Sequence, residues 1–353
     1  MLLSDFDFEL PDELIAQDAA PRGTSRLLVL DRETGRTEHA SVADVPRFLR
    51  RGDLLIVNDT RVFAARLLGA RVPSGGAVEC LLLSPPVPGT DGSAIVDALM
   101  HPGQKLKPGA VVRFDGKEGS LVAEVLERRF FGRRRIRLTV AAGQLGLEAL
   151  IERLGHVPLP PYIRRPDTVH DRERYQTVFA RVTGSVAAPT AGLHFTPALL
   201  DELTRRGIER LTITLHVGYG TFKPVRCESI ENHVVDPEHY EISEETAARL
   251  NRAREQRRRI IAVGTTTTRA VEDSARRGSG IVLAGAAEAT TFIYPGFQFR
   301  ILDGLMTNFH LPRSSLLMLV AAFAGREHTL QAYREALERR YRFYSYGDAM
   351  LIL

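Results

Sequence analysis

The stretch D-L-L-I-V-N-D-T-R at residues 53–61 decides how the chain is read. Its apolar run, Leu54, Leu55, Ile56 and Val57, is too short for a helix and ends in a polar cluster of Asn58, Asp59, Thr60 and Arg61. A strand buried on both faces has this pattern, and parallel α/β proteins place ligands at the carboxyl ends of such strands. Asp59 and Arg61 are therefore ligand-facing candidates. An Asx turn using Asp59 and Thr60 accounts for the same residues.

After this strand the texture changes. Between 62 and 140, the segments V-E-C-L-L-L, A-I-V-D-A-L, A-V-V-R-F, L-V-A-E-V-L and R-R-I-R-L-T-V alternate with glycine and proline turns. They leave no room for a crossover helix, so a small all-β barrel is expected there. The expected fold class is α/β, a large irregular α/β barrel-like domain with this barrel inserted. Residues 1–61 and 141–353 would form the discontinuous catalytic domain, and 62–140 the insertion. A chain of 353 residues accommodates two such domains.

The flanking segments fit that division. Residues 27–30 and 37–40 read as a hairpin, and L-E-A-L-I-E-R-L at 147–154 as a short amphipathic helix stopped by Gly155. Four prolines between 158 and 166 make a stiff loop. Thr196 with Pro197, and Ser243, announce helix starts, as does Ser314 or Ser315 before an apolar helix ended by Gly325. Strands are expected at 208–215, 259–263 and 289–294.

Composition narrows the class. A hydrophobic fraction of 44% with 25% charged residues suits a soluble globular protein, and no run is long enough to span a membrane. Cys80 and Cys227, the only cysteines, support neither a disulfide scaffold nor a thiolate zinc site. A cytoplasmic location is expected. The net charge is +4, and arginines gather in R-R-F-F-G-R-R-R-I-R at 128–137 and R-E-Q-R-R-R at 254–259. Arginine forks suit phosphate, although solvated faces commonly carry such runs.

The chemistry-bearing segment is T-G-S-V-A-A-P-T-A-G-L-H-F-T-P at 183–197, whose small residues let backbone approach a ligand beside His194. His216 and His310 also lie at a strand end or loop, and neutral imidazoles there are general acid/base candidates. The wide spacing of the three and the absence of H-E-x-x-H argue against zinc, and no G-x-S-x-G elbow is present. G-T-T-T-T-R at 264–269 would make an anion or ribose pocket, or else helix caps with Arg269 in a salt bridge.

Eight strings, N-D-T-R-V at 58–62, P-L-P-P-Y-I-R-R at 158–165, Y-Q-T-V-F-A at 175–180, G-S-V-A-A-P-T-A-G-L-H-F-T at 184–196, T-L-H-V-G-Y-G-T-F-K-P-V at 214–225, A-V-G-T-T-T-T-R at 262–269, T-N-F-H-L-P-R-S at 307–314 and Y-R-F-Y-S-Y-G-D-A-M at 341–350, closely resemble the S-adenosylmethionine:tRNA ribosyltransferase-isomerase family of queuosine biosynthesis. The resemblance runs in order over essentially the whole chain. It implies that S-adenosylmethionine, as co-substrate, gives its ribosyl carbons to the aminomethyl nitrogen of 7-aminomethyl-7-deazaguanine at a tRNA wobble position. Epoxyqueuosine-tRNA forms, and adenine and methionine leave. In the scheme implied, C5′ beside the sulfonium is deprotonated, ribose opening expels adenine, the amine attacks, and ring closure expels methionine.

No metal is required, because the sulfonium acidifies C5′ and is itself the leaving group. The leading assignment makes His194 the base, with His216 or His310 assisting adenine protonation and the roles exchangeable. By similarity Asp59, Arg61, Thr190, Thr265, Thr266, Arg269, Asn308 and Asp348 are candidates to hold the co-substrate. The inserted barrel and the 158–165 loop are candidates for tRNA contact, with no membrane partner and a monomeric chain expected. The chain departs from the family's H-x-M-H-x-E in reading H-V-V-D-P-E at 233–238, with Asp236 where the family commonly has histidine, and it has no tryptophan. A tRNA methyltransferase would share partner and co-substrate but release S-adenosylhomocysteine; a noncatalytic RNA-binding protein would leave the polar loops without a task.

Overall fold

A computed structural model describes residues 1–222 and 224–353; Lys223, within the string at 214–225, lies outside them. In chain order the strands are β1 (Arg26–Leu30), β2 (Thr37–Ser41), β3 (Leu54–Asn58), β4 (Thr60–Val62), β5 (Arg66–Val72), β6 (Ala77–Leu82), β7 (Ala94–His101), β8 (Val111–Gly116), β9 (Gly119–Arg128), β10 (Arg133–Gly143), β11 (Val182–Ser185), β12 (Glu209–Leu215), β13 (Glu238–Ile242), β14 (Ile260–Val263), β15 (Gly285–Ala289), β16 (Gly304–Asn308) and β17 (Ala349–Ile352). Nine of them form one sheet in the order β15-β13-β12-β3-β14-β16-β17-β1-β2, and six close a barrel, β10-β7-β6-β5-β8-β9.

The stretch 53–61 is the middle of the large sheet. β3 runs parallel to both β12 and β14, and β14 parallel to β16. Its residues alternate between two cores: Leu54 and Ile56 face one, Leu55 and Val57 the other. The helices Glu244–Glu255, Thr265–Arg277 and Ser315–Ala324 cover the first face through Leu250, Val271 and Leu317, while Pro197–Arg205 covers the second through Leu199 and Leu203. Burying such side chains contributes about 1.5–3 kcal/mol each. The helix starts are fixed locally: Thr196, Ser243 and Ser314 accept from the amides of Leu199, Thr246 and Leu317 at 3.0, 3.1 and 3.2 Å.

The insertion is an all-antiparallel closed barrel. β5 was not anticipated, because Arg66, Gly69 and Arg71 interrupt its apolar alternation. Gly69 is required there: a Cβ would stand 2.3 Å from Arg113 O and 2.5 Å from Phe114 Cδ1. The helix Leu147–Leu154 sends Leu147, Leu150 and Ile151 into the barrel core. Cys80 is buried there, its thiol pushed up to about 12 by loss of solvation, which makes it packing rather than a nucleophile.

One expectation is corrected. The strand placed at 289–294 is Gly285–Ala289, paired with β13 as an edge; past it the chain leaves the ladder, with Ile293 buried in the core and Pro295 following. Within the arginine run 128–137 the roles divide. Arg134 is buried and donates to Leu106 O and Gly103 O, while Arg129 and Arg137 pair with Asp97 and Glu124.

Candidate active site

The parallel neighbours β12, β3, β14 and β16 bring four chain segments to one edge: Asn58 and Asp59, His216, Gly264 and Thr265, and Asn308 to His310. Above them lies a cleft of about 530 Å³, walled by Pro161, Tyr162, Thr190, Thr265, Thr266, His310 and Tyr344 among others. That volume falls in the range of about 300–1,000 Å³ common to small-molecule sites.

Thr190, Thr265, Thr266, Asn308 and His310 of the expected residues line this cleft. Gly264 adopts φ +96° and offers no side-chain cap, so the first-turn amides of Thr265–Arg277 stand without a side-chain acceptor at the cleft wall. Thr267 and Thr268 differ from the two threonines before them; their hydroxyls donate back to Val263 O and Gly264 O at 2.7 and 3.1 Å. A helix N-terminus with free amides favours an anionic group.

The three histidines separate. His310 lines the cleft, with Nε2 2.9 Å from the Thr307 hydroxyl, and burial pushes its pKa down to about 3. His194 lies on the far side of Asn308, which donates from Nδ2 to His194 Nε2 at 3.1 Å and to Tyr344 O at 3.1 Å. Its ring lines a small recess with Arg22, Arg174 and Tyr346 rather than the cleft. Burial, against an opposing pull from Asp348, holds its pKa at about 4. His216 lines neither; its Nδ1 is 2.8 Å from the Thr60 hydroxyl, and burial and then stacked His239 lower its pKa. Gly184 carries no side chain because a Cβ would lie 2.3 Å from His216 Cε1.

The remaining candidates have protein partners or stand apart. Asp59 is buried, accepting from Arg181 Nη2 at 2.8 Å and the Thr214 hydroxyl at 2.7 Å. Asp348 accepts from Arg26 and from the Arg342 amide, tying β17 to β1. Arg61 is exposed on β4. Arg269 is buried, paired with Glu238 at 2.5 Å and donating to Ala289 O at 3.1 Å, so the salt-bridge alternative describes its contacts. With Thr266 it also lines a second cleft of about 400 Å³ between sheet and barrel, which includes His233, Asp236 and Arg133. The two clefts share Thr221, Thr266 and Leu316.

Sequence reasoning missed Tyr162, Tyr344 and Ser345 as cleft walls. Tyr162 and Tyr344 pack with ring centroids 4.0 Å apart, and the Tyr162 hydroxyl bonds Ser345 Oγ. Tyr344 has φ +73°, a conformation costly for a non-glycine residue. Its place in Y-R-F-Y-S-Y-G-D-A-M was the available signal. Among the described residues, no group of His, Cys, Asp or Glu is placed to hold a metal, and no helix is long and apolar enough to cross a membrane.

Fold and site together define an α/β protein with a small-molecule cleft at the carboxyl ends of parallel strands, joined to a β-barrel. A family model described as "Queuosine biosynthesis protein" matches residues 3–352. An S-adenosylmethionine:tRNA ribosyltransferase-isomerase of Heliobacterium modesticaldum is 49% identical over 349 residues, 99% of this chain and 98% of that one. Its counterpart in Anaeromyxobacter sp. is 51% identical over 353 residues, covering 100% and 99%. The crystal structure of S-adenosylmethionine tRNA ribosyltransferase from Thermotoga maritima is 38% identical and superposes with a TM-score of 0.54, covering 99% of this chain and 100% of that one. The chain belongs to the S-adenosylmethionine:tRNA ribosyltransferase-isomerase family.

Proposed function

We propose that the chain carries out its family's reaction, transferring and isomerising the ribosyl moiety of S-adenosylmethionine onto 7-aminomethyl-7-deazaguanine in tRNA, with the 530 Å³ cleft as the seat of the sulfonium substrate. One observation carries this reading. Every residue lining that cleft except Leu316 falls within six of the eight strings that bear the family likeness, although those strings span residues 158–350.

The lining suits the chemistry. It contains no carboxylate, so a sulfonium enters without a counter-charge, in surroundings that favour its neutral ylide. Proton transfer from C5′ to a neutral imidazole moves one positive charge and creates none. The burial that depresses His310 basicity therefore also promotes loss of the proton from the sulfonium carbon. We place this step on His310, in the tautomer whose Nε2–H donates to Thr307 and whose Nδ1 carries the lone pair. His194 acts through Asn308 as a positioning residue. Thr265 and Thr266, at the helix N-terminus, are assigned to the carboxylate of the methionyl group, and Thr190 to a hydroxyl of the ribose. Asp59, Arg269, Asp348 and His216 hold the walls.

The tRNA is assigned to the barrel and the 158–165 loop, and the working form to a cytoplasmic monomer. Incubation of the protein with S-adenosylmethionine and tRNA bearing the aminomethyl-deazaguanine should release adenine and methionine and yield the mass of epoxyqueuosine. Release of S-adenosylhomocysteine would overturn the assignment in favour of methyl transfer.

A further inference from the structure

Among the described side chains only two aromatic rings are exposed, Phe130 at 86% and Tyr219 at 36%. They are far apart in sequence but flank one junction. Tyr219 lines both the 400 Å³ cleft, whose barrel side includes Asp97 and Arg133, and an adjoining groove whose barrel side includes Leu99, His101 and Gly132. Phe130 begins the turn Phe130–Gly132 that joins β9 to β10, and Gly132 of the same turn lines that groove.

Turn positions favour glycine, asparagine or aspartate, and an exposed phenylalanine forgoes the burial its counterparts in this chain obtain. The charges beside it identify a partner. Arg129, Arg133 and Arg137 are ion-paired and Arg134 is buried, whereas Arg128 and Arg135 are exposed and have no ion pair among the described residues. An exposed ring on the hairpin that carries these two arginines suits a strand that offers both flat unstacked bases and phosphates.

We propose that Phe130 and Tyr219 form a stacking platform for unpaired RNA bases flanking the nucleotide that enters the sheet–barrel junction, with Arg128 and Arg135 on the neighbouring phosphates. The inference rests on tRNA being the substrate. A nucleotide held there reaches the sulfonium cleft, because the two clefts meet at Thr221 and Thr266.

The test uses the full chain and an anticodon stem-loop carrying the aminomethyl-deazaguanine, with 2-aminopurine at the adjacent loop position. Wild-type protein should quench 2-aminopurine fluorescence on binding. Phe130→Ala should weaken stem-loop binding roughly five- to a hundredfold and abolish the quench, with S-adenosylmethionine affinity unchanged. Phe130→Trp should restore both, and Phe130→Leu neither. Wild-type affinity in Phe130→Ala, or full rescue by leucine, would overturn the platform and mark the ring as a protein-contact patch. If the wild type itself releases no adenine with the modified tRNA, it is the functional reading that fails.

Discussion

Asn308 stands between His194 and the 530 Å³ cleft: its Nδ2 donates to His194 Nε2 and to the main-chain oxygen of Tyr344, both at 3.1 Å, while the residue itself lines the cleft. Two carbonyl acceptors, Tyr344 O and Asp348 O, fix which end of the amide faces the ring. His194 Nε2 is thus an acceptor, and its neutral ring carries the proton on Nδ1.

Asn308→Asp would place a carboxylate against those carbonyls and demand a protonated His194. Turnover should fall by roughly a hundredfold or more, the scale of misplacing a positioned group. Single-turnover adenine release measures it. Imidazole ¹⁵N shifts should show His194 losing its Nδ1–H tautomer in the variant; an unchanged tautomer together with normal turnover would remove the positioning role.

His310 and His194 should separate kinetically. His310→Ala is expected to abolish adenine release while S-adenosylmethionine still binds, because the cleft loses its imidazole. His194→Ala is expected to lower kcat but leave measurable release. Comparable activity of His310→Ala and the wild type would return the base assignment to His194.

Acid should destabilise the fold in a defined window. Burial sets the folded-state pKa of His194 at about 4 and of His310 at about 3, against an ordinary value of 6.5. Above about pH 6.5 both rings are neutral whether folded or unfolded, and stability does not depend on them. Below it the unfolded chain binds protons that the folded chain refuses, so stability falls toward pH 4 by on the order of a few kcal/mol. Urea midpoints at pH 7.5, 6 and 5 should decline in wild type and less steeply in His310→Gln. A flat profile down to pH 5 would contradict it.

Features set by neighbours in sequence were legible; those set by folding were not. Thr196, Ser243 and Ser314 cap helices through amides three residues away, so each start could be read locally. β3 announced its two-sided burial through four consecutive apolar residues. β5 could not be read, because Gly69 is dictated by Arg113 and Phe114 on the neighbouring strand β8. The same limit applies to the site. The strings marked Asn308 and His194 as important, but 114 residues separate them and only their contact shows that one screens the other from the cleft.

Gly184→Ala tests whether His216 needs its seat. The added methyl would come within 2.3–2.5 Å of three ring atoms and push Nδ1 off the Thr60 hydroxyl. A loss of about 1–3 kcal/mol in denaturation is expected. His216→Ala in the same chain should recover part of it, since the ring that clashes is gone; additive losses would show that the strain lies elsewhere.

The pair Arg269–Glu238 ties the second turn of the helix Thr265–Arg277 to β13, with Arg269 Nη1 2.5 Å from Glu238 Oε2 and the Thr221 hydroxyl donating to Oε1 at 2.7 Å. Both residues are buried, at 8% and 3% exposure, so removing one leaves the other charge unpaired away from water. Arg269→Met alone should cost about 3–5 kcal/mol, and Glu238→Gln should cost less because the amide still accepts from Arg269. The double variant Arg269→Met with Glu238→Met should lie closer to wild type than Arg269→Met, since neither charge is then stranded. Chemical denaturation of the three variants decides the energetics. If Arg269→Met is as stable as wild type yet loses S-adenosylmethionine binding, the guanidinium serves the ligand and not the wall.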